Sequence, residues 1–156
     1  MNGKRRDVLK AGGGAGVIAL ALAAGLLRPE EAFAQAWNKA SFDTKNFADT
    51  VKALGGGASA ESGEIQITAP DIAENGAVVP ISVESRLAKT QTIAIMIEKN
   101  PNTLSANFEI PAGTDPFVTT RVKMAETSNI YALVRADGKY FHAVKEIKVT
   151  IGGCGG

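Results

Sequence analysis

The stretch Ile130-Tyr131-Ala132-Leu133-Val134-Arg135-Ala136-Asp137-Gly138-Lys139-Tyr140-Phe141-His142-Ala143-Val144 decides the fold class. Its first five residues are apolar without a break, the pattern of a short strand with both faces covered. Asp137-Gly138 is a dipeptide that tolerates positive φ at both central positions of a two-residue hairpin turn. Beyond it Tyr140, His142 and Val144 alternate with their neighbours and lead into Ile147, Val149 and Ile151. A strand, a tight turn and a second strand follow from these residues.

The same period of two runs backwards through the chain. Ile65 and Ile67 alternate with polar residues, then Val79, Ile81 and Val83, then Ile93, Ile95 and Ile97. Phe108 and Ile110 continue the series, followed by Val118, Val122 and Met124. Turn clusters such as Glu74-Asn75-Gly76 and Asn100-Pro101-Asn102 separate the segments. About seven short strands with no helix between them predict an all-β, immunoglobulin-like antiparallel β-sandwich over residues 58–151. The paired cysteines and core tryptophan of antibody domains are missing, so this expectation is architectural. A small sandwich core needs one face of each sheet, and the Ile130–Val134 run offers two. An exposed apolar sheet face, and with it a heterodimer, is therefore expected.

Ahead of the strands lies an N-terminal segment, residues 37–57. Trp37 to Asp43 reads as a linker or docking segment. A short helix is expected from about Thr44 to Leu54, with Thr44 as its cap and Phe47, Val51 and Leu54 on one face. Gly55-Gly56-Gly57 ends it.

Residues 1–36 read as an export signal rather than part of the fold. Lys4, Arg5, Arg6 and Lys10 form a basic start, an apolar stretch runs from Ala11 to Leu27, and small residues offer cleavage after Ala34 or Ala36. Five glycines in the apolar stretch count against a permanent membrane helix. Arg5-Arg6-Asp7-Val8-Leu9-Lys10 matches a twin-arginine signal, with Lys4 and Val8 where Ser or Thr and Phe are usual. A periplasmic location follows as the expectation, with no membrane attachment after cleavage. Five of the 17 basic and three of the 16 acidic side chains fall in this signal, leaving 12 against 13 and a net charge of −1. Such a near-neutral balance offers nucleic acid no electrostatic footing.

Catalytic residues are scarce. His142 is the only histidine and stands in a strand pattern, where a half-buried structural residue is the ordinary reading. Glu61 and Glu64 are close in sequence but read as a solvated pair at the entry to a strand. No nucleophile elbow, phosphate loop or metal-spaced cluster is present in the sequence. A non-catalytic protein with no cofactor is expected.

The tail reads differently. Ile151 is followed by Gly152-Gly153-Cys154-Gly155-Gly156, and Cys154 is the chain's only cysteine. Exported domains usually spend cysteines in pairs, so a single one points to intermolecular pairing or to a working thiol. Glycine on both sides makes the arm slim and free to turn. At about 3.3–3.6 Å per residue, the sulfur can stand at most roughly 10 Å from Ile151. Nothing in the tail activates the thiol, so activation is expected to come from a partner's active site. Without such partners a Cys154-linked homodimer is expected in air.

Val149-Thr150-Ile151-Gly152-Gly153-Cys154-Gly155-Gly156, behind a twin-arginine signal and a sandwich-like domain, resembles the SoxY family of sulfur carriers from the bacterial thiosulfate-oxidising (Sox) system. The resemblance implies that Cys154 is the covalent attachment point and that Gly152, Gly153, Gly155 and Gly156 form a swinging arm. It implies a heterodimer with a SoxZ-type subunit. It also implies a c-type cytochrome enzyme that loads thiosulfate, a thiohydrolase that releases sulfate, and in some hosts a sulfane dehydrogenase. Two other readings stand beside it: a periplasmic immunoglobulin-like interaction module whose cysteine cross-links to a partner, and a thiocarboxylate-type carrier using a C-terminal Gly-Gly. Export away from ATP, and the missing ubiquitin-like strand–helix pattern, count against the latter.

Overall fold

The computed structural model describes residues 38–151. The expected signal (1–36), Cys154 and the four arm glycines lie outside the described residues.

Two short helices come first, α1 (Lys39–Phe42) and α2 (Phe47–Ala53). Nine strands follow: β1 (Ser59–Glu61), β2 (Ile65–Thr68), β3 (Ile72–Ala73), β4 (Val79–Ser85), β5 (Thr90–Ile97), β6 (Leu104–Glu109), β7 (Phe117–Val122), β8 (Ser128–Ala136) and β9 (Lys139–Val149). One sheet has the order β1-β9-β8-β5-β6, with β3 also on β9; the other is β2-β4-β7. The chain changes sheet at every step from β1 to β5 and again between β6 and β7 and between β7 and β8, crossings of the kind an immunoglobulin-type sandwich makes. The hairpin forms as read: Ala136 pairs with Lys139 across Asp137 (φ 49°) and Gly138 (φ 75°).

Alternation fills the space between the sheets. Ile93, Ile95 and Ile97 of β5, Ile130, Ala132 and Val134 of β8 and Ile147 of β9 meet Val79, Ile81 and Val83 of β4 and Val118 and Val122 of β7. Because the side-chain period is two, Ala94 and Met96 of β5 and Leu133 of β8 point to the opposite face. There they pack with Val51 and Leu104 in a second buried cluster, joined by Phe47, Leu54, Tyr131 and Tyr140.

That second cluster corrects one expectation. The surplus apolar face of Ile130–Val134 is not left open: α2 lies on it, and the chain covers its own sheet. Phe47, Val51 and Leu54 do share the face that meets the strands. Tyr140 donates its hydroxyl hydrogen to the Leu54 carbonyl at the end of the helix. Gly56 follows immediately, where a Cβ would come within 2.9 Å of the Tyr140 ring and 2.8 Å of the Val51 side chain. Only glycine lets the chain turn so close under that ring.

Three further differences are local. The helix is capped by Asn46, whose side-chain oxygen accepts from the Asp49 N–H at 2.9 Å. Thr44, the expected cap, instead donates its hydroxyl to the Ser41 carbonyl at 2.7 Å, and its own carbonyl accepts from the Thr103 N–H at 3.0 Å. The expected linker carries α1, held by an Asn38 cap. Finally, β1 and β3 raise the strand number to nine, and both pair with β9 in parallel. These two strands are three and two residues long, too short to carry an alternation of their own.

Candidate functional site

The expected arm begins at Gly152, so the described part of the candidate site is the end of β9 and the residues up to Ile151. β9 would fray at its last residues if they had only one neighbour. Here the segment 71–76 runs alongside and satisfies them one after another. The Lys148 N–H donates to the Asp71 carbonyl at 3.0 Å and the Thr150 N–H to the Ala73 carbonyl at 3.1 Å. The Gly76 N–H then donates to the Ile151 carbonyl at 2.7 Å, and the Thr150 hydroxyl to the Glu74 carbonyl at 2.9 Å. On the other side the Val149 N–H donates to the Thr127 hydroxyl oxygen at 2.9 Å. Gly76 is itself tied to the segment just after β7, its carbonyl accepting from the Met124 N–H at 2.7 Å. Backbone order therefore extends through Ile151, the residue before Gly152.

A side-chain tether fixes the lead-in to this clamp. Lys145 of β9 donates to the Ala69 carbonyl at 2.7 Å and pairs with the Asp71 carboxylate at 3.0 Å. Asn75, in the turn cluster Glu74-Asn75-Gly76, closes the bend by accepting the Ala77 N–H on its side-chain oxygen at 2.8 Å. The sequence marked that cluster as a turn. It gave no sign that the turn reaches across to the last strand, because the partner residues are more than 70 positions away.

His142 stands half-buried in β9, as read from the sequence. Its Nδ1 lies 3.0 Å from the Ser59 hydroxyl oxygen, and its ring packs edge-on against Phe47 at 5.2 Å between centroids. A serine within hydrogen-bond reach of a histidine meets the first requirement of an activated nucleophile. The next requirement, a group that orients the imidazole from its other nitrogen, is not met by the described residues. Tyr131 lies 6.4 Å away on that aromatic side. The pair instead fastens β1 to β9, helped by the Ser62 N–H donating to the His142 carbonyl at 2.9 Å. Ser59 was not singled out from the sequence, since three small and polar residues carry no strand signal. Glu61 and Glu64 are both exposed. Among the described residues no group of acidic and histidine side chains could hold a metal ion.

An open cleft of about 680 Å³ lies between Leu87–Gln91 and Glu109–Pro116. It sits at the hairpin end of the large sheet, where Thr90 pairs with Ala136, so the length of β9 separates it from the arm root. Its lining holds neither histidine nor cysteine.

A family model described as sulfur oxidation protein SoxY matches residues 51–154, a span that takes in the last turn of α2, all the described strands and Cys154. The structure of the sulfur carrier protein SoxY from Chlorobium limicola f thiosulfatophilum is 40% identical, with a TM-score of 0.58, covering 66% of this chain and 96% of that one. The superoxide reductase (neelaredoxin) from Ignicoccus hospitalis is 20% identical over 78% of this chain and 92% of that one, with a TM-score of 0.49. Its E23A form gives 20%, 63%, 86% and 0.48 in the same order. Similarities that weak carry no argument about function. No curated protein matches the chain.

Proposed function

Because the chain belongs to the SoxY family and is thereby a sulfur carrier of the Sox system, we propose that Cys154 holds the sulfur covalently and presents it to partner enzymes in the periplasm. The observation that carries this reading is the ordered root: β9 is tied down to Ile151, and the chain's only cysteine follows three residues later between pairs of glycines. A rigid root with a slim arm delivers a bound group without surrounding it.

The chemistry begins with a thiol and thiosulfate. A disulfide bond forms between the Cys154 sulfur and the terminal sulfur of thiosulfate, the thiol proton leaves, and two electrons pass to a c-type cytochrome enzyme. Water then splits the bond to the sulfone in a thiohydrolase, releasing sulfate and leaving a persulfide on Cys154. A sulfane dehydrogenase oxidises that remaining sulfur where a host has one. The carrier supplies no catalytic group and no cofactor to these steps. Gly152, Gly153, Gly155 and Gly156 give the sulfur access to pockets too narrow for a side chain at those positions.

A SoxZ-type subunit is the expected heterodimer partner, an assignment that rests on the family. The apolar face expected to receive it is occupied by α2. The twin-arginine signal supports export in the folded state, in which a partner without its own signal could cross already bound. In air, and without its enzymes, the protein is expected to form a Cys154-linked homodimer.

Cys154→Ser tests the reading. It preserves size but replaces the sulfur nucleophile with a hydroxyl that is hardly ever ionised near neutral pH. Thiosulfate oxidation by cells carrying the variant should be lost, with export, folding and partner binding unchanged. Gly153→Val with Gly155→Val should also lose turnover, yet still react with small thiol reagents in free solution. A thiocarboxylate carrier would tolerate Cys154→Ser and fail on loss of Gly155-Gly156. Normal oxidation by Cys154→Ser cells would show the reading to be wrong.

A further inference from the structure

Among residues 37–156 one asparagine, Asn75, is followed by glycine. The pairing matters chemically, because asparagine is a heat-sensitive residue whose side-chain amide is open to attack by the next backbone nitrogen. Once that nitrogen gives up its proton, it can close a cyclic imide on the amide carbon. A following side chain hinders the approach, and glycine, with no Cβ, leaves it open. The other six described asparagines precede lysine, phenylalanine, proline, threonine or isoleucine. Asn75 is exposed at its turn, and Gly76 behind it is buried.

The fold holds this reaction back. The Gly76 N–H donates to the Ile151 carbonyl at 2.7 Å, so the proton that must leave is engaged. The Gly76 carbonyl accepts from the Met124 N–H at 2.7 Å, and the Asn75 side-chain oxygen from the Ala77 N–H at 2.8 Å. Both bonds oppose the rotation that would bring the nitrogen over the amide carbon. The nitrogen is freed when the Ile151 end lets go. That end is secured partly by the exposed bond from the Thr150 hydroxyl to the Glu74 carbonyl, so it opens locally at a lower cost than the core. We propose that Asn75 is a deamidation site gated by the clamp that holds Thr150 and Ile151.

The step needs only water. The Gly76 nitrogen loses its proton to solvent and bonds to Cγ of Asn75; the Cγ–Nδ2 bond breaks, and the nitrogen takes up a proton and leaves as ammonia. Water then opens the imide at either carbonyl, giving aspartate or isoaspartate at position 75. In the isoaspartate product the backbone runs through Cβ and is longer by one methylene. Gly76 can then no longer meet the Ile151 carbonyl and the Met124 N–H in the same register. Each opening of the clamp therefore risks a covalent change that prevents it from closing again, and an ageing molecule loosens where residues 152–156 begin. This holds whether or not Cys154 carries sulfur.

The test incubates the full mature chain, its Cys154 alkylated, at mildly alkaline pH, both folded and in guanidinium chloride. Peptides are followed by mass spectrometry for exchange of an amide for an acid, and isoaspartate is separated from aspartate by chromatography. Asn75 should convert ahead of every other asparagine, with isoaspartate in excess, and at least about tenfold more slowly folded than denatured. Thr150→Val should speed the folded reaction about two- to tenfold and leave the denatured rate unchanged. Tyr140→Phe, which loosens the far end of β9, should not change it. In the aged isoaspartate fraction, amide exchange at Thr150 should be faster than in fresh protein. Earlier conversion at another asparagine, or none at Asn75 in folded Thr150→Val while the denatured chain converts, overturns the site. Equal rates folded and denatured, or equal acceleration by Thr150→Val and Tyr140→Phe, overturn the gate. Exchange at Thr150 unchanged by ageing overturns the loosening.

Discussion

The two ends of β9 are finished in different ways. At the hairpin end, Tyr140 and His142 lie under the N-terminal elements: Phe47 packs on the His142 ring, and the end of α2 accepts the Tyr140 hydroxyl. Apolar surface there is closed by the chain itself. At the arm end the backbone is just as fully paired, through Asp71, Ala73 and Gly76, yet Ile72 and Ile151 remain in solvent. Hydrogen bonding and apolar burial, which usually travel together, are separated. One end is built for stability, the other for a fixed but uncovered exit.

If that contrast is right, mutations should sort by end. The largest effect is expected at Leu133, fully buried between β8 and α2. Leu133→Ala should cost about 2–5 kcal/mol in chemical denaturation, since it removes buried methyl groups and leaves a cavity under the helix. A cost below about 1 kcal/mol would mean that α2 adds little to the fold and that the outer face is effectively open. Tyr140→Phe is milder. It keeps the ring against Gly56 and removes only the bond to the Leu54 carbonyl, so about 0.5–1.5 kcal/mol is expected. Amide exchange should quicken across α2 and leave residues 148–151 unchanged.

The smallest effect on stability is expected at the arm end. Thr150→Val keeps a β-branched residue just beyond β9 and removes the hydroxyl bond to the Glu74 carbonyl at an exposed position. Global stability should move by no more than about 0.5 kcal/mol. Amide exchange at Gly76 and Thr150 should nonetheless accelerate, because the clamp loses one of its ties while the core keeps all of its packing. Equal acceleration at both ends of β9 would erase the distinction between them.

Much of the fold could be read in the chain. Asp137-Gly138 fixed the β8–β9 hairpin because few dipeptides accept positive φ twice, and the isoleucine and valine alternation of β4 and β5 could serve only strands. The unbroken run Ile130–Val134 was read correctly as apolar on both sides, and then misjudged. Periodicity reports that a face is apolar and says nothing of what lies on it. The covering element, α2, was visible as an amphipathic helix, but its destination depended on packing against Met96 and Leu133, which are distant in sequence. The cap is Asn46 rather than Thr44 for a similar reason: the Thr44 hydroxyl is committed to the Ser41 carbonyl and its own carbonyl to the Thr103 N–H.

The residue proposed to carry the sulfur needed no fold to be noticed. A single cysteine between two glycine pairs is a statement of composition, and its chemistry follows from the thiol and from the freedom of its neighbours. The sequence by itself therefore determined the seven longer strands, the main hairpin and the helix face, since each depends on residues close together in the chain. Only the tertiary structure decided that α2 closes the outer face, that β1 and β3 flank β9 in parallel, and that Gly76 holds the exposed Ile151. Those contacts join residues tens of positions apart, and their energies come from packing and hydrogen bonds that no local pattern encodes.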